Sequence, residues 1–554
     1  MKKLLLILLL FGVGGIARGQ TDRLWATYYG GSGVEFGLDC TTDFLGNVYI
    51  TGFTSSTSSI AYNGFQNTFG GEYDAFLVKF DSLGNRLWAT YYGGTSGEHS
   101  AYVTTDIDGN VYLAGTTNST NGIASGGFQN TISSASGEAF LVKFDANGNR
   151  LWATYYGGIN TEVASAVTTD IMGNVYLAGN TNSTSEIASG GFQNALGGNN
   201  DAFLVKFDAS GNRLWATYYG GTGEEYGYGV ATDLFGNVLL TGITLSTSAI
   251  ASGGFQNTFG GMTDAFLVKF DTNGNRLWAT YYGGEDEDSG YDIVTDISRN
   301  IYLVGNTYSL SDIASNGFQN TFGGLTDAFL VKFDSNGNRI WATYYGGEHI
   351  EEGLSATIDV FGNIYLGGDS YSTAGVALNG FQNDLLGTEN EFIATFDSAG
   401  NPYCATYFGI VHDENGYIAA DNFGNVYLAG TTYSEYFIAH NGFQNTYGGS
   451  GDVYLAKFST CGNKTIIEPD SEIEIPNFVT PNNDNQNDHF EIKNLLIGDT
   501  KNALTIFNRW GNKIYETDNY LNNWNGDKHS AGTYFYILTH PDGTTSKGTI
   551  TLIK

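Results

Sequence analysis

Seven-fold repetition limits the folds open to this chain more than any other property. A Trp-Ala-Thr-Tyr-Tyr-Gly-Gly phrase places Trp at 25, 88, 152, 215, 278 and 341. Its seventh copy, Cys404-Ala405-Thr406-Tyr407-Phe408-Gly409, has Cys in the Trp position. A Gly-Asn-Val-Tyr-Leu-Ala-Gly phrase starts, with drift, at Gly46, Gly109, Gly173, Gly236, Arg299, Gly362 and Gly424. Phe-Leu-Val-Lys-Phe variants start at Phe76, Phe140, Phe203, Phe266, Phe329, Phe392 and Tyr454. A period of about 63 residues means equal supersecondary units, each burying its faces against its neighbours.

Within one repeat, Phe266 to Phe270 alternates Phe, Val and Phe onto one face. Asp271-Thr272-Asn273-Gly274-Asn275 has the Gly and Asn that a tight turn needs, and Arg276 to Tyr282 forms the next strand. Ile293 to Thr295 and Ile301 to Val304 pair across a second turn. Each repeat therefore holds four short antiparallel strands: A (Val-Thr-Thr-Asp), B (Val-Tyr-Leu-Ala-Gly), C (Phe-Leu-Val-Lys-Phe) and D (Leu-Trp-Ala-Thr-Tyr-Tyr). That is a propeller blade, somewhat enlarged. The array opens on a D strand with no C strand before it and closes on a C strand with no D strand after it. The two missing parts make one blade, with A, B and C from about 416 to 458 and D from residues 23 to 30. The expected fold is all-β: a seven-bladed β-propeller closed by pairing of N- and C-terminal segments, plus a small C-terminal β-sandwich. An open solenoid would need terminal caps, and none is visible.

The net charge of −33 argues against nucleic acid as a partner, because a phosphate backbone demands Lys and Arg. Lys2 and Lys3, the apolar run Leu4 to Val13 and Ala17-Arg18-Gly19 read as a signal peptide over 1–19. The propeller then spans 20–463, an acidic linker 464–475 and a last domain 476–554. The propeller is expected to be monomeric. Cys40, Cys404 and Cys461 leave at least one thiol without an intrachain partner, so no disulfide-built scaffold is implied.

The D-to-A loops are acidic in every repeat: Glu35, Glu98, Glu162, Glu224 with Glu225, Glu285 to Asp288, Glu351 with Glu352, and Asp413 with Glu414. Glu35, Glu98, Glu162, Glu224, Glu285, Glu351 and Asp413 are the metal-ligand candidates, calcium being the cation that oxygen ligands suit. No Asp-x-Asp-x-Asp-Gly loop occurs, so a solvated acidic rim is the favoured reading and no cofactor is expected. The B-to-C loops carry Ile-Ala-x-x-Gly-Phe-Gln-Asn, as at Ile250 to Asn257. Their amides either line repeated sugar pockets or satisfy buried backbone groups, and the second is favoured. The D-to-A and B-to-C loops are expected on one face, where binding would sit. The sequence contains no HExxH, GxSxG, Walker or CxxC motif, so no catalytic residue is assigned. The seventh repeat breaks the pattern at Cys404, His412, Asp413 and Glu414, which is read as drift.

The Asp-Ala-Phe-Leu-Val-Lys-Phe-Asp, Gly-Asn and Trp-Ala-Thr-Tyr-Tyr-Gly-Gly elements resemble SBBP-type bacterial β-propeller repeats, over about residues 21 to 463. The segment after the linker resembles the gliding-motility-associated, type B sorting domain of type IX secretion substrates. Phe478 to Asp488, with Pro481, Asn482, Asp484, Asn487 and Asp488, is similar to that family's FTPNGDGxND stretch, Asn483 and Asn485 replacing its two glycines. Asn508-Arg509-Trp510-Gly511 matches its NRWG phrase. Trp524-Asn525-Gly526 matches its WDG, with Asn for Asp. The resemblance implies export through the periplasm of a Gram-negative bacterium, recognition by the type IX secretion machinery, and display on the outer surface or release. The expected function is a non-enzymatic scaffold for interaction or adhesion with a protein or glycan ligand. The alternatives are a lectin-like propeller and a polysaccharide-degrading enzyme on the same scaffold.

Overall fold

The computed structural model describes residues 22–134, 136–410, 413–459, 475–476, 478–481, 489–490, 492, 502–518, 520, 524–539 and 545–554. The signal peptide at 1–19 lies outside the described residues. The chain divides into two compact units, Met1–Lys464 and Thr465–Lys554.

The first unit holds seven four-stranded antiparallel sheets among the described residues. Six are built from consecutive strands, the first from Glu35–Thr42, Val48–Thr54, Asp74–Phe80 and Arg86–Tyr92 in A to D order. The seventh is composite. Its A, B and C strands are Asp413–Ala420, Asn425–Thr432 and Asp452–Ser459, and its D strand is Arg23–Tyr29. Trp25 pairs with Lys457 and Thr27 with Leu455. This is the register in which Trp88 pairs with Lys79 and Thr90 with Leu77 inside the first sheet.

The C strands are buried along their whole length, because both of their faces meet protein. Phe76, Val78 and Phe80 of the first sheet pack with Val453 and Leu455 of the composite sheet. The alternate residues Ala75 and Leu77 pack with Phe140, Val142 and Phe144 of the second sheet. Period-two side chains thus build two hydrophobic layers from one strand.

A side-chain latch links the composite sheet to the first sheet and each of the first five sheets to the one after it. The Trp25 indole Nε1 donates to the Ser82 carbonyl at 3.0 Å, and Trp88 donates to Ala146 at 3.0 Å. Trp152, Trp215, Trp278 and Trp341 repeat the bond to Ala209, Thr272, Ser335 and Ser398. Each acceptor lies in the C-to-D turn of the following sheet. A buried lysine from the C strand joins it: Lys79 reaches the Ala146 carbonyl while pairing with Asp43 at 3.2 Å. The turn presses a glycine onto the indole. Gly211 has φ +83°, and a Cβ there would lie 2.8 Å from the Trp152 ring.

The B-to-C loop does not present a free binding edge. It runs along the outer edge of its own sheet, where Tyr62 and Ala89 exchange backbone hydrogen bonds and Tyr91 N donates to Gln66 O. This pairing covers the D strand, which would otherwise expose an unpaired edge. It also accounts for the length of the repeat.

Cys40 is buried and free, and Cys404 is disulfide-bonded. Cys461 lies outside the described residues. The second unit contains one five-stranded sheet: Phe478–Val479, Thr545–Leu552, Gly532–Thr539, Ala503–Phe507 and Lys513–Thr517, in that spatial order. Its core is completed by Phe490, Ile492, Tyr520 and Trp524 from outside the strands. Where a sandwich was expected, the described residues show a single sheet covered by these side chains.

Gly190→Ala tests backbone cost alone, since its φ is +70° and nothing lies within 4 Å of a Cβ there. Gly211→Ala adds the collision with Trp152 and is expected to be more destabilising by about 1–2 kcal/mol in urea unfolding. Equal midpoints for the two variants would remove the latch from the account.

Candidate functional site

The acids proposed from the sequence fall into two sets. Glu35, Glu98, Glu162 and Glu351 begin A strands and are fully buried. In the fourth and fifth repeats the equivalent residues are Glu225 and Asp288, not Glu224 and Glu285, which lie in the loop before them. Asp413 begins the seventh A strand. Each buried acid has a fixed job. Glu98 Oε1 accepts the Thr117 hydroxyl at 2.6 Å, and Oε2 accepts Gly94 N at 3.1 Å.

A second buried acid, from the start of the neighbouring C strand, stands beside each one. A Cβ on Gly283 would lie 2.7 Å from Asp264 Oδ1 and 2.8 Å from Asp288 Oδ2. Asp74 with Glu98, Glu138 with Glu162, Asp201 with Glu225, Asp327 with Glu351 and Asp452 with Glu35 flank the equivalent glycines. At the remaining seam Asn390 stands where the C-strand acid would be. Asp288 Oδ1 and Asp452 Oδ1 are buried without a hydrogen-bond partner. Burial first, and then the neighbouring carboxyl, push Asp288 and Asp452 up to about 6 against their hydrogen bonds. Burial raises Asp74 and Asp264 to about 6, and Asp327 likewise with help from Glu351. Glu98 and Glu138 rise to about 7 from the same causes. These acid pairs lie at the seams between sheets, each carboxyl raising the other's affinity for a proton. Among the described residues no group of three His, Cys, Asp or Glu is placed to hold a metal.

The recurring Gln-Asn pairs serve the same seams. Gln66 Nε2 donates to Asp74 Oδ2 and to Thr68 O, while its Oε1 accepts Gly93 N. Asn67 Nδ2 donates to Gly64 O in the local turn. The Gln amide is thus fully occupied by the scaffold.

In the second unit, Asn508 to Asn512 form the turn after Ala503–Phe507. Asn508 Oδ1 accepts Trp510 N at 3.1 Å and Asn512 N at 3.0 Å, and Gly511 takes φ +80°. Asp81 to Asn85 in the first unit make the same turn with the same acceptor pattern. Trp510 is 71% exposed, with the Arg509 guanidinium 4.3 Å from its ring centroid. Trp524 is 4% exposed and belongs to the core, and Gly526 lies against Leu552. Pro481 is half-buried. Asn482, Asp484, Asn487 and Asp488 lie outside the described residues.

Comparison with known proteins agrees with both architectures. The SBBP β-propeller repeat matches residues 151–185 and 277–313, and the CHU_C type IX secretion signal domain matches residues 473–552. The chain carries β-propeller repeats and a type IX secretion signal. An uncharacterized WD repeat-containing protein of Acanthamoeba polyphaga mimivirus is 25% identical over 347 residues, covering 51% of this chain and 25% of that protein. Regulatory protein FlaEY of Caulobacter vibrioides is 30% identical over 217 residues, covering 38% of this chain and 22% of its own. The chain thus spans about a quarter of the length of the curated relatives it matches. A crystal structure of a Dyadobacter fermentans protein of unknown function aligns with TM-score 0.39 and 9% identity, over 79% of this chain and 99% of that one. The type IX signal means export, to the cell surface or beyond, through contact with the secretion machinery. Trp510 and Arg509 are the exposed part of that signal, and Trp524 is its packed part.

Sequence reasoning missed the residues of the propeller's interior. All seven A strands line one cavity of about 380 Å³. Its polar lining includes Asp39, Asp292, Tyr102, Tyr228, Tyr291 and Tyr417, at positions where the repeats differ. That variation within otherwise repeated strands was the available signal.

The buried acids set a pH dependence. Their folded values of about 6 to 7 lie above the ordinary carboxyl range near 4. The stability they contribute is complete below that range and is lost as pH rises through 6 to 7. Desolvation opposes it, but turn hydrogen bonds hold Asp145, Asp208, Asp271 and Asp334 below their usual value, so their contribution is lost only under more acidic conditions. The propeller is expected to melt at a higher temperature at pH 5 than at pH 8. Asp264→Asn should flatten that slope, and a melting temperature that climbs toward pH 8 would contradict the assignment.

Proposed function

We propose that the protein is an exported seven-bladed propeller, closed into a ring and displayed by a Gram-negative cell as a non-catalytic scaffold for interaction or adhesion. The observation that carries the ring is the Ser82 carbonyl. It accepts Trp25 Nε1 at 3.0 Å and Lys457 Nζ at 3.1 Å, from opposite ends of the repeat array. Elsewhere the corresponding carbonyl, such as Ala146, takes its Trp and Lys from one continuous sheet.

The sixth sheet supports the same reading. Its latch would need the C-to-D turn of the composite sheet, and that turn is absent because one strand ends at Ser459 and the other begins at Arg23. The two latch positions are Cys404 and Thr395. The departure at Cys404 therefore has a structural cause, and the Cys that replaces Trp there is disulfide-bonded.

The scaffold reading rests on what the ring exposes. Phe65, Phe128, Phe192, Phe255, Phe318 and Phe443 recur as exposed rings in the B-to-C loops. Arg150, Arg213, Arg276 and Arg339 stack over the first four. Leu87, Leu151, Leu214, Leu277 and Ile340 are exposed on D strands. A repeated display of aromatic, aliphatic and guanidinium groups suits multivalent contact with a partner surface.

Deletion of residues 473–554 is expected to abolish surface delivery while leaving the propeller folded, and normal delivery would refute the sorting role. Trp510→Ala is expected to reduce delivery with a stability change within about 0.5 kcal/mol, whereas Trp524→Ala should cost about 3–5 kcal/mol. Deletion of residues 22–29 tests the ring. It should remove amide-exchange protection from 452–459, and unchanged protection would mean an open array.

A further inference from the structure

The cavity inside the ring departs from the symmetry of its walls. The fifth position of each A strand carries Asp39, Tyr102, Ala166, Gly229, Asp292, Ser355 or Tyr417 in turn. The two aspartates take the same pose. Asp39 Oδ2 accepts Val103 N from the next A strand at 2.8 Å, and Asp292 Oδ2 accepts Ala356 N at 2.8 Å. Their other oxygens accept Cys40 N and Ile293 N. None of the residues lining the cavity is Lys, Arg or His. Two carboxyl groups thus share a cavity whose lining holds no protein cation.

Aromatic rings lead to them. Tyr226 and Tyr228 stack at 6.4 Å, and Tyr228 and Tyr291 stack at 5.3 Å. The Tyr226 hydroxyl donates to Glu224 Oε2 at 3.0 Å, so the ladder begins at a loop acid and ends beside Asp292. Ring faces stabilise a cation through the π quadrupole.

We propose that this cavity binds a small linear diammonium ion, each ammonium facing one of Asp39 and Asp292 and the carbon chain lying against the tyrosine rings. A hard divalent metal fits less well, since calcium takes six to eight oxygen ligands and magnesium a strict octahedron. The volume of about 380 Å³ lies at the small-molecule end of binding cavities. The proposal is independent of the export reading, because it concerns the folded propeller alone.

The electrostatics support the geometry. Burial first, and then the charge of Asp292, push Asp39 up to about 8 against the bond from Val103. Burial raises Asp292 to about 6 against bonds from Ala356, Ile293 and Ser355. The titratable groups around them are Cys40, Tyr102, Tyr228, Tyr291 and Tyr417, with Asp369 acting on Tyr417. An ammonium beside either carboxylate would favour its ionised form.

Isothermal titration of the full secreted chain with 1,4-diaminobutane at pH 8.5 tests this. Saturable binding is expected, weakening when the pH is lowered to 6 as Asp39 takes up a proton. Asp39→Asn with Asp292→Asn should weaken it at least about tenfold. Tyr228→Leu, which keeps both carboxylates, should weaken it several-fold and serves if the double variant fails to fold. Absence of binding, equal binding by 1-aminobutane, equal affinity in these variants, or calcium binding with the same variant sensitivity would each overturn the proposal.

Discussion

One carbonyl in each C-to-D turn holds neighbouring sheets together, and the rest of the propeller depends on it. An indole N–H and a lysine ammonium converge on that oxygen, and a left-handed glycine lets the turn lie flat on the indole. None of these parts works alone. Without glycine the turn is displaced from the ring. Without the turn the Trp N–H and the Lys charge lie at a sheet interface with no acceptor, which is costly. The buried Lys–Asp pairs, such as Lys206 with Asp170 at 3.4 Å, are tolerable because the ammonium also has a carbonyl and a tyrosine face. Thr395 and Cys404 show the rule from the other side, since both latch residues are lost where the turn is lost.

The carboxyl seams follow a different logic. Six pairs of acids buried side by side oppose folding if both members are ionised. Each acid nevertheless organises loop backbone: Asp74 accepts Gly70 N and Gly71 N, while Glu98 accepts Gly94 N. Asn390 shows that an amide can hold the same loop, accepting Leu386 N at 2.8 Å and donating to Leu386 O at 2.8 Å. The acids therefore add something beyond loop shape. They make the seams between sheets responsive to protons near neutrality, where the amide seam is silent.

Much of the first unit was legible because the strand phrases carry their own register. A Lys always opposes the Trp of the next strand, so aligning phrases aligns sheets, and the leftover D strand at residues 23 to 29 identifies its own place. The B-to-C loop was misplaced because its pairing with the D strand is made by backbone groups, which leave no side-chain signature. The Gln of Gly-Phe-Gln-Asn was expected to satisfy buried backbone groups, and it does so at Gly93 N while also bonding the Asp74 carboxyl. Glu224 and Glu285 were chosen one and three residues early. Loop length drifts between repeats, and only the hydroxyl partners, such as Thr244 for Glu225, mark the true strand start. In the second unit the motif tryptophans look alike in sequence. Their opposite exposures depend on Trp510 lying in a turn and Trp524 lying over a sheet.

The interior could not be read from phrases at all, since it unites residues as far apart as Asp39 and Asp292 that no local pattern connects. Its chemistry follows from what the walls require. Six interfaces between sheets use the same latch, which drives those repeats toward identity. The A-strand side chains that face the cavity take no part in that latch and are free to differ. Asp39, Asp292 and the tyrosines occupy those freed positions, and Cys404 occupies the one wall position freed by a missing turn. Departures from the repeat therefore separate into two kinds: one explained by the seam, and one facing a cavity whose lining holds no Lys, Arg or His.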